Sequence, residues 1–102
     1  MSVQRVFEWD EQKAELNRRK HAVPFHVAAT VFKDPLAITA PDRIENGEQR
    51  WQTIGMADEG LLLMVAHTVR FETDEEDLEI EVIRIISARR VEPKERKHYE
   101  HG

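Results

Sequence analysis

The 102-residue sequence contains no cysteine, and glycine, proline and aromatic residues are few. Without cysteine the chain forms no disulfide, offers no thiolate to a metal and has no cysteine nucleophile, which fits a reducing compartment. No apolar run approaches the ~20 residues of a membrane span, and no targeting segment is expected at the N-terminus. We therefore expect a single cytoplasmic domain over residues 1–102, with one aliphatic core.

Motifs that bind cofactors or metals are also missing. There is no glycine-rich phosphate loop, no nucleophile elbow and no dinucleotide fingerprint. The histidine pairs His98 with His101 and His21 with His26 have no third ligand at a spacing that zinc sites use. The sequence therefore predicts no metal and no small-molecule cofactor.

Charge is unevenly distributed along the chain, whose net charge is −5. Residues 72–81 hold seven of the twenty acidic groups and no basic one, which leaves thirteen acidic and fifteen basic residues elsewhere. A uniformly acidic surface would argue against a nucleic-acid partner, because phosphate binding needs a basic surface. The uneven distribution permits a basic face, and the acidic run is most simply a solvated loop.

The stretch 82–90, Val-Ile-Arg-Ile-Ile-Ser-Ala-Arg-Arg, predicts an interior strand because its β-branched residues are apolar at both parities. Arg84 is the exception. A guanidinium is rarely buried unpaired, so Arg84 either meets a carboxylate inside the fold or points into a groove that is open to an anion. On a regular strand Arg84 and Arg89 face opposite sides, and they converge only if the strand ends near Ser87.

The N-terminal third predicts a short strand at residues 6–9 and two helices. Asp10 is a good N-cap for a first helix over residues 11–21. Pro24 fits the first turn of a second helix, whose phenylalanines and alanines recur at helical spacing. This helix is predicted to end near Lys33, because the next residue, Asp34, precedes a proline.

The remaining sequence predicts an antiparallel sheet of about four strands and a last helix. A short strand at 36–40 leads into a polar loop at 41–48, with a turn signal at Asn46-Gly47, and two strands flank a tight turn that contains Gly60. The strand at 79–88 follows, and a helix runs from Pro93 to about His101. The order predicts an α+β fold in which the first two helices cover one face of the sheet.

Basic residues on or next to the predicted strands suit binding of a phosphodiester on the uncovered face. They are Arg50, Arg70, Arg84 and Arg89, with Lys20, His21 and Tyr99 contributed by the flanking helices. Ribonucleases without a metal activate the 2′-hydroxyl of RNA, stabilise the charge of a phosphorane-like transition state and protonate the leaving 5′-oxygen.

Within this set, arginines suit the stabilisation of charge. His21 suits proton transfer, because histidine changes protonation near neutral pH. Tyr99 could orient a base or donate a proton. A structural interpretation stays open, since Lys13, Asn17 and Lys20 lie on one side of the first helix as on any solvated helix face, and a lone histidine is more often a surface or capping residue.

The chain resembles BrnT, the toxin half of a bacterial type II toxin–antitoxin pair, over almost its whole length. The most specific matches are Lys20-His21 after the first helix and the Arg-Ile-Ile-Ser-Ala-Arg strand at 84–89. The other matching residues are Phe7-Glu8-Trp9-Asp10, Lys13, Asn17, Phe25, Ala28, Phe32, Arg50, Gly55, Arg70, Glu95-Arg96 and Tyr99.

This resemblance implies a RelE-like fold and a metal-independent endoribonuclease that arrests translation. It also implies inhibition by a BrnA-like ribbon-helix-helix antitoxin, in a heterotetramer with an antitoxin dimer. The chain departs from the family at Ala22 and Pro24, where glycine and serine are usual. If residue 22 is left-handed, alanine costs about 1 kcal/mol more than glycine there, which affects how His21 is held.

The sequence is also compatible with two other functions. One is a catalytically inactive interaction module that binds an antitoxin-like partner and modulates its DNA binding. The net acidic charge motivates it, and arginines tied up by carboxylates such as Asp10 or Glu81 would favour it. The other is an RNA-binding protein that does not cleave, which would show salt-dependent affinity without products.

Overall fold

The computed structural model describes residues 4–102 and contains helices and a single sheet. In chain order the elements are β1 (Gln4–Glu8), α1 (Glu11–His21), α2 (Phe25–Ala28), a 3-10 helix (Ala29–Lys33), β2 (Ile38–Glu45), β3 (Glu48–Met56), β4 (Leu62–Thr73), β5 (Glu79–Arg90) and α3 (Pro93–His101). This order confirms the predicted α+β fold. Within the described residues, no helix is both long and apolar enough to span a bilayer.

The sheet has five strands in the order β1-β5-β4-β3-β2. The N-terminal strand joins it as the parallel neighbour of β5, with Val6 opposite Val82, and the other neighbouring strands are antiparallel. β5 therefore lies inside the sheet along its first half, as its apolar sequence predicted. β1 ends at Glu8, opposite Arg84, so the outer edge of β5 has no strand partner beyond that point.

The hydrophobic core lies between one face of the sheet and the short helices that follow α1. Val23, Phe25, Ala28 and Val31 pack with residues of the central strands, among them Leu63, Val65, Ile83, Ile85 and Ala88. Contact is close at Gly55 on β3, where a Cβ atom would lie 2.7 Å from Cγ1 of Val31. We call this side of the sheet the core face and the other side the open face.

A β-bulge decides which face the arginines of β5 occupy. Ala66 of β4 pairs with Ser87 and the next residue, His67, pairs with Ile85, so that Ile86 is an extra residue in β5. The bulge shifts the alternation by one residue. As a result Ile85 and Ala88 both lie in the core although they are three apart, and Arg84 and Arg89 both lie on the open face.

Two expectations, one about β5 and one about residues 41–48, are corrected by the structure. The strand does not end near Ser87, and the arginines share a face because of the bulge. The predicted loop at 41–48 is wrong as well, because β2 continues to Glu45. Pro41 is tolerated since β2 is an edge strand, and a second irregularity accommodates residues 42–43 opposite Arg50.

Several local predictions are confirmed. Asp10 caps α1 by accepting hydrogen bonds from the backbone N–H groups of Gln12 and Lys13 at 2.8 and 3.1 Å. The turn between β2 and β3 falls at Asn46-Gly47, and Gly60 has a φ of 82° in the turn before β4. The second helical segment ends at Lys33, although its second half is a 3-10 helix.

Ala22, the residue after α1, adopts the left-handed conformation that the sequence analysis considered for this position. Ala22 is left-handed, with φ 59° and ψ 29°, and its N–H donates to the carbonyl of Arg18. Alanine in this conformation costs about 1 kcal/mol relative to glycine. Lys20 and His21 therefore sit in the last turn of a helix whose C-terminus is closed by a strained residue.

Candidate functional site

The open face is defined by the residues that pair across its two central strands. On β4 these are Met64, Ala66, Thr68 and Arg70, and their partners on β5 are Arg89, Ser87, Arg84 and Val82. The alternate residues of the two strands, among them Leu63, Val65, Ile83 and Ile85, point to the core face. Three of the predicted arginines therefore lie on the face opposite the core helices, on which Met64, Thr68 and Val82 are themselves buried.

α1 closes the free edge of β5 and brings its own basic residues to this face. The buried side-chain amide of Asn17 accepts a hydrogen bond from the N–H of Ala88 at 3.1 Å and donates to the carbonyl of the same residue at 2.9 Å. The amide also donates to the carbonyl of Val23 at 3.0 Å. One groove here is lined by Lys13, Leu16, Asn17, Lys20, His21, Ile86 and Ser87.

Arg84 stands apart from the other arginines of the open face. It is exposed, and within residues 4–102 its guanidinium has neither a hydrogen bond nor an ion pair. It lines a shallow groove together with Glu8, Trp9 and Asp10. Of the two alternatives that the sequence left open, the structure shows the second, a guanidinium directed into an open groove.

Arg70 is held by two carboxylates. Its Nη1 donates to Oε1 of Glu8, and its Nε donates to Oε1 of Glu72 at 2.9 Å. These hydrogen bonds raise the pKa of Arg70 above its ordinary value. The same contact lowers the pKa of Glu8, and the nearby charge of Arg84 lowers it further. Glu8 therefore lies between two guanidinium groups.

Arg50 lies near the start of β3, next to Trp51, which pairs with His67 of the core face. Its side chain is 17% exposed, its Nη1 is 3.5 Å from Oε2 of Glu45, and its buried Nε has no hydrogen-bond partner in the described part of the chain. Glu45 is also bonded by Arg43, and the charge of Lys13 contributes to lowering its pKa. Lys13 of α1 is therefore near enough to the end of β2 for its charge to act on Glu45.

Arg89 and Tyr99 are engaged in contacts with neighbouring elements. The guanidinium of Arg89 donates from Nη1 and Nη2 to the two oxygens of Glu95 on α3, at 2.8 and 2.7 Å. This pairing lowers the pKa of Glu95 and raises that of Arg89. The hydroxyl of Tyr99 donates to Oδ2 of Asp34 at 2.6 Å, which raises the pKa of the tyrosine.

The structure thus brings together most, but not all, of the residues proposed from the sequence. Arg70, Arg84 and Arg89 share the open face, and Lys20 and His21 approach it at Ser87. Arg50 is largely buried. The hydroxyl of Tyr99 donates to Asp34, which also accepts a hydrogen bond from the N–H of Met56 at the end of β3. Neither Asp10 nor Glu81 pairs with these arginines, because Asp10 caps α1 and Glu81 binds Arg5.

Sequence reasoning gave no role to two residues of this region, Glu8 and Lys13. Glu8 is a carboxylate near the end of a predicted strand, which makes it a natural partner for an arginine of a neighbouring strand. To assign Arg84 as the neighbour of Glu8 requires the parallel register of β1 with β5, which sequence patterns do not give. Among residues 4–102, no group of three or more histidine, aspartate or glutamate side chains is arranged to hold a metal ion.

This chain matches one family model and shares its fold with a solved structure. The family model described as the ribonuclease toxin BrnT of type II toxin–antitoxin systems matches residues 9–95. The crystal structure of the Brucella abortus ribonuclease toxin BrnT matches with a TM-score of 0.59 and 20% sequence identity, covering 88% of this chain and 99% of that one. A search of curated proteins gives no match. The structural match establishes a shared fold.

Proposed function

Since this chain belongs to the BrnT family of ribonuclease toxins of type II toxin–antitoxin systems, we propose that it is an endoribonuclease that cuts RNA without a metal ion. In this proposal the 2′-hydroxyl attacks the adjacent phosphorus. The bond to the 5′-oxygen breaks, and the products are a 2′,3′-cyclic phosphate and a 5′-hydroxyl. The reaction needs charge stabilisation and two proton transfers, and all three can come from side chains.

The observation that carries the proposal is Arg84, an exposed guanidinium without a partner in the described residues, on a face that also holds Arg70. An arginine without an ion pair can bind a phosphate with both nitrogens of its fork and without first breaking another contact. Its role is to stabilise the charge that develops on the non-bridging oxygens. Arg70 assists from the neighbouring strand.

The groove at the end of α1 supplies the remaining roles. His21 donates a proton to the leaving 5′-oxygen, and Lys20 contacts the RNA backbone. Arg89, Arg50 and Tyr99 lie in contacts with Glu95, Glu45 and Asp34. The proposed catalytic part of Arg89, and that of Arg50 and Tyr99 in substrate binding, requires those contacts to open. Arg70 is paired with Glu8 and Glu72, but its Nη2 makes no hydrogen bond within residues 4–102. The proposal therefore depends first on Arg84, Arg70 and His21.

Purified protein incubated with RNA in the presence of a chelator tests this function. We expect cleavage products that end in a cyclic phosphate from the wild type. Arg84→Ala should reduce the rate by roughly 10²–10³, the usual loss when a transition-state donor is removed. Arg84 makes no ion pair within residues 4–102, so its removal should change the free energy of unfolding by no more than about 0.5 kcal/mol.

Arg90→Ala is the matched control. It removes a guanidinium from the same strand, but its register partner is Leu63 and it lies on the opposite parity from Arg89. Its cleavage rate should stay within about threefold of wild type, as expected for a surface change away from the site. Cleavage by wild type that is no greater than by the Arg84→Ala, His21→Ala double variant would contradict catalysis.

Membership of a type II system implies a protein antitoxin and an RNA target. We extend this to a BrnA-like ribbon-helix-helix antitoxin that forms a heterotetramer with the toxin, and to arrest of translation in the cytoplasm when the toxin is free. Expression of the wild type alone should stop incorporation of labelled amino acids, and co-expression of the antitoxin should restore it. Unchanged incorporation would contradict this extension.

A second candidate function is a partner-binding module that has lost catalysis. The observation in its favour is that Arg70, Arg89 and Arg50 are each paired with a carboxylate, on a chain of net charge −5. This candidate predicts tight antitoxin binding, no RNA products and no effect of Arg84→Ala on the complex. The chelator experiment separates the two functions.

A further inference from the structure

Cleavage by a 2′-hydroxyl needs a group that accepts the hydroxyl proton, in addition to the cations that bind the phosphate and the acid that protonates the leaving oxygen. The acceptor must lie close to the cations that hold the phosphate, because the 2′-oxygen and the phosphorus are neighbours in the sugar-phosphate chain. Building on the proposed ribonuclease function, we propose that Glu8 is the general base, and that it accepts the proton of the attacking 2′-hydroxyl.

Glu8 lies beside the two arginines that bind the phosphate in this proposal. It is the last residue of β1 and stands in register with Arg84 of β5. Its Oε1 accepts the hydrogen bond from Arg70, whereas its Oε2 has no hydrogen bond within residues 4–102. The side chain is 43% exposed and lines the same groove as Arg84. Glu8 therefore has one carboxylate oxygen without a hydrogen bond in the described residues, on a side chain that shares a groove with Arg84.

Glu8 is ionised in the free protein and can accept a proton, although its lowered pKa makes it a weaker base than an ordinary glutamate. Hydrogen bonding to Arg70 and the charge of Arg84 hold the pKa of Glu8 below its ordinary value. The carboxylate is therefore charged at neutral pH, and it can take a proton without first losing one. Once a phosphate binds Arg84 and Arg70, its negative charge offsets theirs and raises the proton affinity of Glu8 at the moment when a base is needed.

None of the other acidic side chains near the open face combines contact with Arg70 and a place in the groove that Arg84 lines. Both oxygens of Glu95 accept hydrogen bonds from Arg89, and Oε1 also accepts from the N–H of Glu92. Oε2 of Glu45 lies between Arg43 and Arg50. Asp10 uses Oδ1 to cap α1. Glu8 alone among these four combines a free oxygen with contact to Arg70 and a shared groove with Arg84.

The complete step balances without a co-reactant. The 2′-hydroxyl gives its proton to Oε2 of Glu8 as the bond between the 2′-oxygen and phosphorus forms. The bond between phosphorus and the 5′-oxygen then breaks, and that oxygen takes a proton from His21. Glu8 ends protonated and His21 ends neutral, and exchange of protons with water restores both.

Glu8→Gln tests the proposal, with Glu72→Gln as the matched control. The glutamine keeps an oxygen that can accept from Arg70 but cannot take up a proton. Cleavage by Glu8→Gln should fall by roughly 10²–10⁴, the usual contribution of general base catalysis. Glu72 bonds the same arginine and has no part in the reaction, so Glu72→Gln should stay within about threefold of wild type.

Binding and pH dependence separate a base from a residue that only positions Arg70. An RNA with a 2′-O-methyl group at the cleavage position cannot react, and Glu8→Gln should bind it as tightly as wild type or more tightly. The acidic limb in the pH profile of kcat/KM should disappear in Glu8→Gln. Weaker binding together with an unchanged pH profile would show that Glu8 only positions Arg70, and would overturn the proposal.

An RNA with sulfur in place of the leaving 5′-oxygen distinguishes the base from the acid. Sulfur leaves as a thiolate and needs no proton, so His21→Ala should recover most of its rate while Glu8→Gln stays slow. Recovery by Glu8→Gln would overturn the role of base. If wild type does not cleave ordinary RNA, the proposed function fails; if wild type and Glu8→Gln cleave equally, only the assignment of Glu8 fails.

Folding is checked independently for each variant by circular dichroism and thermal unfolding. Should Glu8→Gln not fold, Glu8→Asp replaces it, because aspartate keeps the charge and the ability to accept a proton on a side chain that is one carbon shorter. The expected result for Glu8→Asp is a reduced rate with the acidic limb retained. A wild-type rate in Glu8→Asp with no acidic limb in either protein would contradict the proposal.

Discussion

Individual residues of this fold show how position in the sheet decides what a polar side chain does. Arg84 and Ile85 are neighbours in sequence, yet one is exposed in a groove and the other is 1% exposed in the core. The difference follows from the alternation of side chains along β5. In this chain, the arginine inside the apolar run of β5 therefore marks the open face of the sheet and not a buried ion pair.

His67 is the buried counterpart, a titratable residue on the core face. It is 2% exposed, its ring lies edge-on to Phe32 with centroids 4.9 Å apart, and its Nε2 is 2.7 Å from the hydroxyl oxygen of Thr53. That hydroxyl lies 2.7 Å from the hydroxyl of Thr39 on the edge strand. This chain of polar groups satisfies the imidazole inside the core.

We predict that His67 makes the protein less stable in acid. Burial lowers the pKa of His67 in the folded state, so the unfolded state takes up a proton first as the pH falls. The stabilisation is complete above the ordinary histidine value near 6.5 and is lost as the pH falls towards the folded pKa, by up to about 1.4 kcal/mol per pH unit. Urea unfolding between pH 5 and 8 measures this slope. His26→Gln alters an exposed histidine and should leave it unchanged, whereas a wild type without any slope would contradict the prediction.

At the scale of elements, α1 acts as the cover of an open sheet edge. β1 is too short to pair with all of β5, and Asn17 supplies the hydrogen bonds that a strand would have made to Ala88. The helix exposes most of its other side chains, so this amide and its contact with Val23 fix its position. The placement of Lys20 and His21 depends on the same anchor.

Asn17→Ala should therefore destabilise the protein and weaken its activity together. It leaves the N–H and the carbonyl of Ala88 and the carbonyl of Val23 without their amide partner. At about 1–3 kcal/mol for each buried group left unpaired, with partial relaxation, we expect a loss of about 3 kcal/mol in the free energy of unfolding. Gln12→Ala, at an exposed position of the same helix, should change it by less than about 0.5 kcal/mol. Urea denaturation gives both values, and equal stabilities would contradict the anchoring role.

For the whole molecule, the distribution of charge matters more than its sum. The acidic residues 72–81 lie in the arm formed by the end of β4 and the start of β5, whereas the arginines and lysines of the site lie around the bulge in β5 and the end of α1. A net charge of −5 is therefore compatible with a cationic groove. Arg84 and Arg89 of β5 and Lys20 of α1 supply cations to the site, and Arg70 borders the acidic run, where it bonds Glu72.

RNA affinity should consequently fall with salt in spite of the acidic net charge. If about three cations contact phosphates, the logarithm of the affinity should change with the logarithm of the salt concentration with a slope of about −2. Arg84→Ala should reduce the magnitude of the slope by about 0.7, and Arg90→Ala should leave it unchanged. Fluorescence anisotropy with an RNA that carries 2′-O-methyl groups measures the slopes. A slope near zero would show that the groove does not bind phosphates.

The sequence by itself determined the order of the elements, their caps and the tight turns. Asp10, the Asn46-Gly47 turn and Pro93 act within a few residues of the chain, so local patterns were enough to find them. The extent of β2 was missed because Pro41 and the polar residues after it predict a loop, whereas an edge strand tolerates proline and the irregular pairing with β3 accommodates residues 42–43.

Tertiary structure alone decided how the site is assembled. The bulge at Ile86 exists only through pairing with β4, and it sets Arg84 and Arg89 on one face. The parallel register of β1 sets Glu8 beside Arg84, and the partner of each remaining arginine depends on which strand or helix lies next to it. These contacts join residues that are far apart in the chain, and a local pattern of side chains carries no information about them.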